Sequence, residues 1–256
     1  MRRVVAILVL TIAASCTAEG PPVPDAEPAG PPRVQIDDLE SHAAQFDDEL
    51  PERTAGSQNE GAASVYLLGH LQQAGYVVRL DSVPVGNLVR STNVVALAPS
   101  GEDPLAVVVV PYDTAEDSEA SGASLGLFLE VARALRAAVP AHSVEFAALG
   151  AEHAEVSGGR LGSRRLARAL LDDELDPLVI QLGTIADGVG FSARGEVAPA
   201  VNEAAESAGV EVPPSPLKSV PDDAVWMRAG FEWAVVSGAP HDVGEVLVEF
   251  LSERGR

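Results

Sequence analysis

Residues 107–135 read VVVVPYDTAEDSEASGASLGLFLEVARAL. Four consecutive valines cannot alternate between a core face and a wet face, so Val107–Val110 predicts a strand covered on both sides, as in a parallel sheet. An acidic, serine-rich loop follows, and then a long apolar run at helical spacing, residues 122–138. Strand, loop and helix in this order form the repeating unit of an α/β domain, whose ligands gather at the C-terminal ends of the strands. Here that end carries a proline, Pro111, ahead of Tyr112 and Asp113.

The same alternation extends in both directions. Upstream, VQIDDLESHAAQFDDEL spaces Ile36, Leu39, Ala43 and Phe46 as an amphipathic helix. In SQNEGAASVYLLGHLQQAGY, Ser57 and Glu60 stand as a capping box, apolar residues recur at Ala62, Val65, Tyr66, Leu68 and Leu71, and Gly75 closes the helix. VVRLDSVPV and TNVVALAP read as strands. Downstream come a strand at HSVEFAALG, a helix at RLGSRRLARALL, a strand at PLVIQLGTIA, and a helix at PAVNEAAESAG. A short helix around DDAVWMRAG, a strand at EWAVVSG and a closing helix, HDVGEVLVEFLSER, complete the chain. The expected fold is a three-layer α/β/α sandwich around a mostly parallel mixed sheet.

With 256 residues, 46% of them hydrophobic, the chain can bury one large core. Its net charge of -21, from 38 acidic and 17 basic residues, argues against nucleic acid and against docking on an anionic membrane, since each phosphate contact needs Lys or Arg. One cysteine, Cys16, excludes a disulfide framework and a multi-cysteine zinc site, so any metal must sit on carboxylates and the five histidines. GVGFSARG lacks the glycine spacing of a dinucleotide loop. His42, His70 and His142 have no partner at metal spacing and read as surface residues. Trp226, Met227, Phe231 and Trp233 read as packing between the last elements and the sheet.

The first 15 residues, MRRVVAILVLTIAAS, have the positive start, short apolar run and small-residue ending of a signal peptide. With Cys16 they resemble a bacterial lipobox, which implies acylation of that cysteine; simple secretion is the alternative. Residues 16–33 are rich in Pro, Gly and Ala and read as an extended tether. The folded domain is expected over 34–256, outside the cytoplasmic membrane and attached to it only through the lipid.

Five stretches in order carry a family resemblance: ERTAGSQNEGAASVYLLGHLQQAGY, VVVVPYDTAEDSEASGASLGLFLEVARAL, VEFAALGAEHAEVSGGRLGS, VIQLGTIADG and PDDAVWMRAGFEWAVVSG. Together they resemble the dizinc aminopeptidases and glutaminyl cyclases. The resemblance implies two zinc ions, a bridging water and a carboxylate base. It also implies where the ligands should stand. The first histidine falls on Pro111, with the aspartate behind it kept as Asp113. The bridging aspartate falls on Ser118, flanked by Asp117 and Glu119. The paired glutamates fall on Glu152, the general-base position, and His153. The next aspartate falls on Gly183, and the last histidine is matched only by His241.

Proline and glycine offer no ligating side chain, so the expectation is a fold that has lost its dizinc centre and binds a peptide or envelope component without a cofactor. The alternative is an active metallohydrolase of aminopeptidase or cyclase type. Its zinc would be rebuilt on His153, His241 and either Asp117 or Glu119, with Glu152 as base.

Overall fold

In the computed structural model of the chain, residues 33–115, 122–212 and 224–254 are described. Seven helices appear among them: α1 (Ile36–Ala44), α2 (Gln58–Gln73), α3 (Gly122–Ala138), α4 (Leu161–Asp172), α5 (Ala198–Ser207), α6 (Ala224–Ala229) and α7 (Pro240–Arg254). The seven strands are β1 (Val78–Val85), β2 (Val89–Ala96), β3 (Ala106–Pro111), β4 (Val144–Leu149), β5 (Leu178–Ile185), β6 (Ser192–Gly195) and β7 (Trp233–Gly238). They form one sheet in the order β1-β2-β4-β3-β5-β7-β6. The four middle strands are parallel, while β1, β2 and β6 pair antiparallel at the flanks. The expected α/β/α architecture is therefore present.

The valine run explains the layering. Val108 and Val110 join the core formed with α1, α2, α3, α5 and α7, whereas Val107 and Val109 join the core under α4 and α6. Side chains alternate across a strand, so an unbroken apolar run requires both layers. Trp226 is fully buried in the second core and donates from Nε1 to Gln181 Oε1 at 3.1 Å; Phe231 and Trp233 are buried with it, as the packing reading expects. Met227 instead points outward, at 55% exposure.

Several local expectations need correction. β6 is missing from the sequence reading, because four residues at a sheet edge carry too little periodicity to register. On α2, Ser57 caps the helix by accepting from Glu60 N at 3.0 Å, but Glu60 does not return the bond to Ser57. Its carboxylate is buried and accepts from Ser91 Oγ and Gly56 N. The buried face of α2 accordingly runs through Glu60, Ala63, Leu67 and Leu71, with Val65 exposed. His142 is not a surface residue. It is fully buried, with Nε2 3.0 Å from Tyr76 Oη and Nδ1 accepting from Val144 N. His42 and His70 are half-buried against each other, rings 4.6 Å apart, and Tyr66 Oη lies 2.8 Å from His42 Nδ1.

Val34 is buried, Gln35 N donates to Glu130, and Arg133 donates both to Glu130 and to the Arg33 carbonyl. The proposed signal segment and residues 16–32 of the tether lie outside the described residues. No helix among the described residues is long and apolar enough to cross a membrane.

Candidate functional site

The C-terminal ends of β3 and β4 bring together the carboxylates that the sequence pairs only by analogy. Immediately after β3, the side chain of Asp113 is fully buried and accepts from Glu152 N and His153 N, both at 2.9 Å. Backbone donors hold it from the β4 side, so the two strand ends are tied through one carboxylate. His153 turns its Nδ1 toward the same residue, 3.1 Å from the Asp113 carbonyl and 3.4 Å from Oδ1, and leaves its side chain 43% exposed. The hydrogen bond to Asp113 raises the His153 pKa above the ordinary histidine value despite burial.

Glu152 is buried and faces the first turn of α4. Ser163 donates to it twice, from N to Oε1 and from Oγ to Oε2, both at 2.6 Å. The preceding Ala151 makes this possible with a left-handed backbone (φ 56°). Arg160, also left-handed at φ 57°, returns its N–H to the Glu152 carbonyl at 2.8 Å. A helix N-terminus and two donors favour a charged carboxylate, yet burial outweighs them and pushes the Glu152 carboxyl up to about 7. The phrase Leu161-Gly162-Ser163 therefore has a structural meaning. Gly162 lets α4 approach the Gly150 carbonyl and Asn93, and Ser163 holds Glu152.

Beneath this edge lies a buried polar layer that the sequence did not reveal. Arg53, 2% exposed, donates to the carbonyls of Tyr112 (2.7 Å), Phe46 (2.6 Å) and Leu50 (2.7 Å), and its guanidinium covers the Phe46 ring. Tyr112 Oη donates to the Thr92 carbonyl at 2.7 Å. Asn93 bridges Gly150 N and the Gly162 carbonyl. These residues carry no spacing signal, since the bonds that join the layer, Arg53 to Tyr112 and Asn93 to Gly150 and Gly162, span more than fifty positions; only the run ERTAG ahead of α2 marks Arg53.

The remaining predicted positions fare differently. Ser118, Asp117 and Glu119 lie outside the described residues. His241 sits at the start of α7, mostly exposed, with Nε2 3.9 Å from Glu245 Oε1 on the same helix. No group of three or more His, Cys, Asp or Glu side chains able to hold a metal is gathered among the described residues. At Gly183, a Cβ would fall within 3.0 Å of Ser237 Oγ, so a hydroxyl already stands where a side chain on residue 183 would begin. Pro111 continues β3 without a donor atom. With serine at 118, where the resemblance expects the bridging aspartate, and no side-chain donor at 111 or 183, the residues present do not fit the pair of zinc ions that the resemblance implies.

No family model and no curated protein matches the sequence. Solved structures do match the fold. A glutaminyl cyclase from an Acidobacteriales bacterium superposes with a TM-score of 0.72 at 16% identity, covering 93% of this chain and 100% of the other. A leucine aminopeptidase precursor from Bacteroides thetaiotaomicron gives 0.72 at 17% identity, over 87% and 98%. A protein described as a Zn-dependent exopeptidase from Bacteroides vulgatus gives 0.70 at 18% identity, over 86% and 97%. The chain thus has the zinc-exopeptidase fold common to aminopeptidases and glutaminyl cyclases, over nearly the whole length of those proteins.

Proposed function

We propose that this protein is a cell-envelope protein of the zinc-exopeptidase fold that has given up dizinc catalysis and acts by binding a peptide or another envelope component. The observation that carries this reading is the Gly183–Ser237 contact: where the resemblance expects a ligand side chain, a Cβ would meet the serine hydroxyl. Pro111 and Ser118 support it by identity, having no strong zinc donor where the resemblance expects a histidine and a carboxylate. The apolar N-terminal run ending at Cys16, followed by a Pro-rich stretch, supports export and lipid attachment on the outer side of the membrane.

A second reading, a metallohydrolase with a rebuilt site, is favoured by Glu152, whose carboxyl is pushed up to about 7, the range that suits a general base near neutral pH. The two readings separate on metal content. Protein purified without chelators is expected to hold zinc far below one equivalent. It is also expected to release nothing from aminoacyl anilides and to leave N-terminal glutaminyl peptides uncyclised. Stoichiometric zinc, with an activity abolished by Glu152→Gln, would overturn the binding reading. Lipid attachment is tested separately by labelled palmitate, which should enter the wild-type protein and not Cys16→Ser.

A further inference from the structure

We infer that Gly183 and Ser237 are a coupled pair in which the serine has sealed the vacated ligand position, so that a side chain restored at 183 costs stability unless residue 237 changes with it. The naming of residue 183 as a ligand position rests on the reading above; the coupling itself rests on geometry alone.

The pairing of β5 with β7 is regular from Val179↔Trp233 to Leu182↔Val236 and resumes at Ile185↔Gly238. Between these points Gly183 and Thr184 on β5 oppose Ser237 alone on β7, which is the two-against-one arrangement of a β-bulge. A bulge takes a backbone N–H out of the ladder. Here Thr184 N donates to Ser237 Oγ at 3.2 Å, so the hydroxyl supplies the partner that the ladder no longer provides. To do so it occupies the space of a Cβ on residue 183, with Val235 Cγ1 a further 3.0 Å neighbour of that Cβ. Ser124 Oγ, in the first turn of α3, donates to the Gly183 carbonyl at 3.2 Å and fixes the bulge from the other side.

Gly183 does not have a positive φ, so its backbone conformation does not by itself reserve the place for glycine. The restriction is therefore one of space and is set by Ser237. A side chain at 183 must either overlap the hydroxyl or rotate it away from Thr184 N, which gives up the hydrogen bond. Removing the hydroxyl relieves the first problem, and the new side chain then no longer displaces a bonded group.

A double-mutant cycle tests this, with chelator present so that metal has no part in the result. Gly183→Ala is expected to lower Tm by at least about 3 °C when residue 237 is serine. With Ser237→Ala in place the same replacement should cost less than half as much. Gly183→Asp should follow the same pattern with a larger initial loss. Equal losses in both backgrounds would overturn the coupling. Because a poorly folding Gly183 variant could obscure the cycle, hydrogen exchange of the Thr184 amide provides a second reading. It should be slowed in the wild-type protein and in Ser237→Thr, and accelerated in Ser237→Ala; the same rate in wild type and Ser237→Ala would also overturn the inference. Zinc content of the wild-type protein bears on the proposed function and leaves this cycle unaffected.

Discussion

Replacing Glu152 with glutamine should make the protein more stable at alkaline pH and leave it nearly unchanged under mildly acidic conditions. In the folded chain this carboxyl is pushed from the usual value of 4.5 up to about 7, with burial as the leading cause. An acid whose folded pKa is raised binds more protons folded than unfolded between those two values. Stability is therefore complete below the unfolded pKa and declines as pH rises through the folded one. At about 1.4 kcal/mol per pH unit, the interval corresponds to about 3 kcal/mol lost between pH 4.5 and neutrality. Glutamine keeps the shape and can still accept from Ser163 N through its carbonyl, while the Ser163 hydroxyl turns to accept from its amide. Urea unfolding at pH 5 and pH 8 provides the assay. Wild type and Glu152→Gln should differ little at pH 5, and the variant should be the more stable by about 2–3 kcal/mol at pH 8. A difference that is the same at both pH values would refute the argument, for it would mean that burial of the ionised carboxylate is not what the folded state tolerates at neutral pH.

His142 should set the opposite limb. Burial pushes its imidazole down to about 4, so the unfolded chain takes up the proton first and stability falls as pH drops from 6.5 toward 4; His142→Gln should flatten that decline in Tm across acidic buffers. Arg53→Met should cost about 3–5 kcal/mol in urea unfolding, because two buried carbonyls and a half-buried one lose their donor together. Gly126→Ala should cost about 1–3 kcal/mol despite the better helix propensity of alanine, since its Cβ would press on the Leu39 carbonyl of α1 where α1 and α3 cross. The last of these would fail if the variant matched or exceeded the wild-type Tm.

The elements of the sheet were legible wherever a local pattern reports burial. The valine run of β3, the Ser57 cap and the helix stop at Gly75 each depend on neighbours within a few residues. β6 escaped because its place is decided by pairing with β7, forty residues on. At the candidate site, the identity of a residue carried part of the answer. Pro111 and Gly183 carry no ligating side chain in any fold, so that much could be read directly. The settings of Glu60, His142 and Glu152 could not. Each depends on partners on another element, respectively Ser91, Tyr76 and Ser163, and on how much water the packed layers exclude.

By itself, then, the sequence determined the order of strands and helices, the acidic surface and the absence of ligand atoms at two positions, because these follow from side-chain chemistry and local periodicity. Tertiary structure alone decided that Asp113 ties two strand ends and that burial holds the Glu152 carboxyl near neutrality. It also decided that Ser237 occupies the space beside Gly183. Proton affinity and free volume are properties of an environment assembled from distant segments, and no short stretch of chain contains them.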